Sequence, residues 1–345
     1  MNFQFTALIL RQSADGIAGL AASRLFERFG DELTDDFTVW KAHFRSQVLH
    51  LAVALETQNG SGFANHVTWV RLAFHARGIP DPVILESVEC LAEIARESVP
   101  AEFAPELDRY LESALQCFRT PPPSAPNLLA GNGPTQVLAR AFLATLREGE
   151  EQKAADLVLD AHREQGLPIE VLLDGVLAPV LHEVGRLWHL GLATIAEEHF
   201  ITQAARSTLT QLLAEAPQAP RNGKTAVLSS VADEVHSMGI QVVAAHLQLA
   251  GWRALSLGAN TPVDELVQAA RTYAADLVLL GVTVDLQIPN LIESIQQLRR
   301  DLPQTKILVG GSAFLRNPDL GLRVGADGEA RDGRDAVHKA NQLVP

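Results

Sequence analysis

Three groups of residues in this chain have types and spacings that could carry chemistry. The first is Asp233-Glu234-Val235-His236-Ser237-Met238-Gly239. A histidine on a loop between a strand and a helix projects its imidazole over the end of a sheet. A carboxylate two residues earlier can accept the Nδ1 proton and fix the tautomer, which leaves the other ring nitrogen as a metal ligand of raised basicity. Gly239 lets a bulky group come close to the backbone. Taken alone, E-x-H-x-x-G reads as a helix-capping loop with a surface histidine. The second group is Trp188, His189, Glu198 and His199: a flat apolar side chain at one helix end, and a carboxylate and imidazole at the start of the next. The plain alternatives are Trp188 as core, His189 as a solvent-facing helix-end residue favoured by the dipole, and Glu198-His199 as a helix-start pair. The third group is Trp40, His43, His50, His66, Trp69, Arg71 and His75, a concentration of rings and imidazoles. It fits either a mixture of half-buried core and surface or a ligand pocket.

These groups fall on different kinds of structure. Thr120–Pro126 with Gly131–Pro134, and Ala216–Gly223, are rich in proline and glycine and read as linkers. They divide the chain into modules at about 1–120, 133–216 and 224–345. The first has apolar residues at helical spacing, with helices expected at 13–29, 34–57, 61–77, 81–98 and 102–118, an all-helical bundle. The second reads as about four helices. Gly166-Leu167-Pro168 separates the second from the third, Pro179 should kink the third, and Thr194-Ile195-Ala196-Glu197 opens the fourth with a capping box. In the third module, apolar runs at 225–231, 254–257, 277–283 and 307–309 alternate with amphipathic stretches near 237–250, 262–274, 289–301 and 332–343. That pattern predicts a doubly wound parallel sheet of flavodoxin-like type, covered by helices on both faces. Thr261 is expected to cap the helix that Pro262 opens. Ligands of such sheets sit beyond the carboxyl ends of the strands, so the loops at 232–238, 258–260, 283–286 and 310–312 should converge on one crevice. The fold class is α/β plus all-α.

Composition narrows the functions. The 345 residues carry 28 Lys+Arg and 41 Asp+Glu, a formal net charge of −13, and 47% are hydrophobic. Residues 1–120 hold 10 basic and 16 acidic side chains, which offers no broad basic face for a phosphate backbone. With Cys90 and Cys117 alone, neither a disulfide framework nor a CxxC-type metal site forms, and the thiols point to a reducing, cytoplasmic setting. No apolar run reaches the length of a membrane span, and the start lacks the pattern of a signal peptide. G-x-G-x-x-G and G-x-x-x-x-G-K-[ST] are both absent, which argues against nucleotide binding by this sheet.

The loop at Glu234, His236 and Gly239 resembles the D-x-H-x-x-G loop of cobalamin-binding domains, with Glu in place of Asp. That resemblance implies His236 as the lower axial ligand of cobalt, with the dimethylbenzimidazole tail displaced into a slot beside the sheet. It further implies cofactor contacts from Gly281-Val282-Thr283-Val284-Asp285 and Gly310-Gly311-Ser312. Thr283 keeps the family's hydroxyl; Asp285 departs from the usual apolar residue there. The ending at 324–330 is also similar to that family's. Trp188, nine residues, then Glu198-His199 resembles the W-x9-E-H pattern of the helical cap in adenosylcobalamin-dependent light sensors. A four-helix cobalamin cap over the upper corrin face is thereby implied. His189 follows Trp188 as a histidine does in the light-sensing repressors of this group, where it can take the upper cobalt position after photolysis.

Those repressors carry a winged helix-turn-helix before the cap, whereas this chain shows no short basic recognition helix. A helical bundle before cap and cobalamin domain is instead similar to photocobilins, sensors holding both a cobalamin and a bilin. The similarity implies a biliverdin near His66, Trp69, Arg71 and His75, with Cys90 and Cys117 as thioether candidates or plain core. The expectation is a sensor without catalytic turnover. Its ligands are adenosylcobalamin and biliverdin, its output is a change of assembly or partner contact, and neither nucleic acid nor a membrane is a direct partner. A corrinoid methyl carrier of a methyltransferase system and a cobalamin store are the alternatives.

Overall fold

The computed structural model describes residues 2–30, 33, 35–121, 125–217, 219–317 and 319–345. They form two compact units, Met1–Ser124 and Ala125–Pro345. Residues 122–124 of the first expected linker and residue 218 of the second lie outside the described residues, as does the expected helix start at residue 34.

The first unit is helical: α1 Asn2–Gln12, α2 Ala14–Phe29, α3 Phe37–Glu56, α4 Gly62–Ala76, α5 Asp81–Ser98 and α6 Ala104–Gln116. α1 is not among the expected helices. α2 buries Ala14, Ile17, Ala18, Ala21, Ala22 and Leu25, a stripe at helical spacing whose small side chains let neighbouring helices approach. α3 starts after Asp36, whose carboxylate accepts a hydrogen bond from the Val39 N–H at 3.0 Å.

The second unit begins with α7 Pro134–Arg147, α8 Glu151–Arg163 and α9 Ile169–Leu172. A π-helical segment Leu173–Leu177, α10 Ala178–His189 and α11 Ile195–Glu215 follow. α9, the π segment and α10 run on without a break, so they make one long helix of a four-helix layer. Pro179 has no N–H for the carbonyl four residues back, and the expected kink takes the form of the wider π turn just before it. The capping box at α11 is present in full, Thr194 and Glu197 each bonding the other's backbone N–H.

The sheet comprises β1 Thr225–Ser230, β2 Arg253–Gly258, β3 Leu277–Gly281, β4 Lys306–Gly310 and β5 Gly328–Ala330, all parallel in the order β2-β1-β3-β4-β5. β5 is an addition to the four expected strands. α12 Met238–Leu249, α13 Val263–Thr272, α14 Ile288–Asp301 and α17 Gly333–Leu343 connect and cover it, with the short α15 Ser312–Arg316 and α16 Leu320–Arg323 between β4 and β5. The cores of β1, β3 and β4 are continuous buried runs, as strands covered on both faces require. Thr261 does not cap α13. The helix starts at Val263 after Pro262, and the Thr261 hydroxyl accepts from Ser229 Oγ at 2.6 Å.

α12 belongs to two cores at once. Ile240, Ala244 and Leu247 pack with the sheet, while Met238, Val242 and Ala245 pack with the helical layer. The element that follows the His236 loop is therefore shared by both layers.

Candidate functional site: a braced histidine at the strand ends

The chain leaves β1 beside β3, where the strand order reverses; this switch point is where open parallel sheets bind ligands. The loop from Val231 to Ser237 is fixed by its neighbours. Asp233 adopts a left-handed conformation (φ 63°), and its N–H donates to Asn260 Oδ1 at 2.8 Å. Asn290 Nδ2 donates to the Ala232 carbonyl at 2.7 Å, and the Asn260 N–H to the Glu234 carbonyl at 3.0 Å. Residues following β2 and β3 thus hold the loop that follows β1.

Glu234 is 1% exposed and fully employed. One oxygen accepts from the His236 N–H at 3.0 Å and from His236 Nδ1; the other accepts from the Thr283 and Val284 N–H groups at 2.7 and 3.1 Å. Burial pushes the carboxyl up, but these four bonds outweigh it and hold Glu234 below its usual range. The hydrogen bond to Glu234 in turn raises the His236 imidazole above its ordinary value, against the opposing effect of burial. With Nδ1 committed, Nε2 remains for a ligand, and 55% of the side chain is exposed.

Thr283, Gly310 and Gly311 lie at the same end of the sheet. Gly311 has φ 114°, and a Cβ there would strike the Val282 carbonyl. The glycine pair lets the β4 end pack on the β3 end, and the Gly310 carbonyl accepts from the Val282 N–H at 2.9 Å. Asp285 is paired with Arg316 at 2.7 Å, and Arg316 also donates to the Thr283 carbonyl at 2.8 Å. The residue that departs from the family's apolar type therefore has a partner of its own on α15.

The helical layer brings Glu198 to the same region. Glu198 lies close enough to His236 for its charge to favour the imidazolium. Its oxygens accept from Thr202 Oγ1 at 2.8 Å and from His199 Nδ1 at 2.6 Å. Trp188 is 37% exposed, whereas His189 is buried. Successive residues of a helix differ by about 100°, so the two rings leave α10 in different directions. The solvent-facing reading of His189 is thus corrected.

Several features fit a corrin. The half-exposed His236 ring has one nitrogen to give. A Cβ built on Gly239 meets nothing within 4 Å, so space lies open beside it. Trp188, Leu192, Ile195, Phe200 and Val235 are large apolar side chains left exposed. Arg206 of α11 carries a buried Nε with no hydrogen-bond partner among the described residues.

In the first unit the expected pigment residues do not act together. Arg71 is buried and makes four hydrogen bonds, two to Asp81 (3.2 and 2.6 Å) and one each to the Cys117 and Thr120 carbonyls (2.8 Å); Phe118 stacks on it. It ties α4 to α5 and to the segment after α6, and so does not offer a cation to a propionate. His66 stacks on His50 (3.5 Å between centroids, 9°) and near Trp69 (6.2 Å), which is 50% exposed; His75 is exposed. Burial pushes the Cys90 thiol up to about 12, which keeps it protonated and unreactive.

Sequence reading missed the bracing roles of Asn260 and Asn290, and it missed Arg206. Arg206 could have been found from its place eight residues after Glu198, on the same helix face.

Residues 224–338 match the B12 binding domain family and residues 138–213 a second B12 binding domain family. The HTH-type transcriptional repressor CarH of Myxococcus xanthus is 33% identical over 195 residues, which covers 54% of this chain and 63% of that protein, just under two thirds of its length. Trimethylamine corrinoid protein 1 of Methanosarcina acetivorans is 24% identical over 216 residues, 61% of this chain and 97% of that protein. The Methanosarcina barkeri monomethylamine corrinoid protein shares the fold, with a TM-score of 0.52 at 15% identity over 61% of this chain and 100% of that one. The two matched stretches, 138–213 and 224–338, coincide with the helical layer and the sheet that carry the Glu234–His236 site, and it is there that the chain is similar to B12 binding domains.

Proposed function

We propose that the protein is a light sensor that holds adenosylcobalamin between the helical layer and the strand ends, in a His-on state. The observation that carries this reading is His236: its Nδ1 is locked by a buried carboxylate while its ring stands exposed at the switch point. In this reading His236 would hold the cobalt through Nε2, with Glu234 setting its tautomer and Gly239 giving clearance. Thr283, Gly310 and Gly311 line the path of the nucleotide tail. Trp188 roofs the upper face, and Glu198 and His199 supply polar contacts to the adenosyl group. When bound, adenosylcobalamin supplies a cobalt–carbon bond that visible light cleaves. His189 is buried at the end of α10, so it must leave its packing to reach the upper face. That movement of the helix end is the signal, passed to a partner or a second copy of the chain.

The test is reconstitution in darkness, followed by green light. A stable spectral change that needs His189 supports the sensor. Reductive activation and methyl acceptance would instead favour a corrinoid methyl carrier.

A second ligand, a biliverdin, belongs to the same proposal at the α3–α4 pair. There Trp40 Nε1 and Gln47 Oε1 are buried without a hydrogen-bond partner among the described residues, a donor and an acceptor beside the His43 imidazole. A red-shifted band on adding biliverdin, lost on deleting residues 1–125, is the expected result.

A further inference from the structure

α11 presents Glu198, Thr202 and Arg206 at intervals of four, one above the other on a single face. Glu198 faces His236 electrostatically, and Thr202 bonds Glu198. Arg206 reaches across the layers: its Nη2 donates to Ser237 Oγ at 3.1 Å, the same oxygen that accepts from Gln241 Nε2 at 3.2 Å. Ser237 is the residue after His236 and the first before α12. The guanidinium therefore sits where the helical layer meets the metal-ligand loop.

Its Nε is buried and has no acceptor among the described residues. A buried charged donor without a partner is costly, and native structures seldom keep one without a reason. Corrin rings carry a rim of acetamide and propionamide side chains whose carbonyl oxygens are suitable acceptors. We infer that Arg206 is a corrin-binding residue, its Nε donating to a rim amide carbonyl while its Nη2 keeps hold of Ser237. Occupancy of the crevice then tightens the contact between α11 and the His236 loop. This inference rests on the cobalamin site proposed above and adds a residue to it.

The experiment uses the full chain, hydroxocobalamin, and cobinamide, which lacks the nucleotide tail. Arg206→Met should weaken both corrinoids about 10-fold. It should leave the melting temperature of the cofactor-free protein within about 2 °C of the parent, because an orphan donor is removed together with a single bond to Ser237. Arg206→Lys, which keeps the charge and loses the Nε, should weaken binding similarly, and Ser237→Ala less. Equal affinities within about twofold for parent and Arg206→Met would overturn the inference, as would a loss confined to hydroxocobalamin, which would place the donor on the tail. A fall of several degrees in the cofactor-free melting temperature with unchanged affinity would make Arg206 a purely structural tie. Should the parent bind neither corrinoid, the cobalamin site itself fails; parent binding with an unaffected variant sinks the Arg206 assignment alone.

Discussion

Imidazoles gather in two regions of this molecule and are treated oppositely. In the helical unit, His43, His50 and His66 lie against rings: His43 on Phe74 at 4.7 Å, His50 on His66 at 3.5 Å. Burial, with a smaller contribution from repulsion by His50, depresses His43 to about 3, so it is held neutral. At the strand ends His236 has one nitrogen tied to a buried carboxylate and the rest of its ring exposed. The same residue type is stacked on other rings in one place and, in the other, stands half exposed with one nitrogen tied to a carboxylate. The difference is the backbone: helix flanks stack side chains on one another, while strand-end loops project them over an edge and can be braced by amides of the neighbouring loops.

The contrast can be broken first at Arg71. If the first unit's polar residues serve structure, Arg71→Met strands the Asp81 carboxylate and two carbonyls and should cost about 2–4 kcal/mol in denaturant unfolding. Cobalamin affinity should be unchanged. A variant as stable as the parent that fails to take up a pigment would instead mark Arg71 as a ligand contact. Next in size, His236→Ala should weaken cobalamin about 100-fold, and Glu234→Gln about 10-fold, because the carboxylate acts through the imidazole. Equilibrium titration followed by absorbance measures both; equal retention by all three proteins removes His236 from the metal.

Much of this was legible beforehand. The continuous apolar runs of β1, β3 and β4 announced a two-faced parallel sheet, whereas the E-x-H-x-x-G loop pointed to His236 only through its resemblance to cobalamin-binding loops, because the pattern alone also fits a helix-capping loop. What was hidden depended on long-range placement. β5 is three residues long, too short for periodicity. Arg71 has the chemistry of a propionate partner, and only its contacts with residues 46 and 49 positions away show that it is spent. Asp174 gave no local sign at all: it sits in the π segment, its Oδ1 accepts from His246 of α12 at 2.8 Å, and its Oδ2 is 2.6 Å from Arg334 of α17. It joins the helical layer to the sheet layer at the far end of α12 from His236. Asp174→Ala should destabilise the second unit by about 1–2 kcal/mol while leaving the cobalt ligand set intact. A changed absorption spectrum of the bound cofactor would show that this contact instead governs the site.

The smallest expected effect concerns pH, and the two regions should slope in opposite directions. His43 is depressed to about 3 when folded, against about 6.5 unfolded. Its stabilising contribution is therefore complete above about pH 6.5 and declines as the pH falls from there toward 3, since the unfolded state takes up the proton first. His236 is raised by Glu234, so its contribution in the cofactor-free protein is complete below about pH 6.5 and is lost as the pH rises through its folded value. With more than half of that ring in water, the effect is modest. Melting curves between pH 5 and 8 should show His43→Phe removing the acid-side decline and His236→Gln removing the alkaline-side one. If His43→Phe leaves the acid side unchanged, the ring is not held neutral by its packing, and the distinction between stacked and readied imidazoles fails in the helical unit.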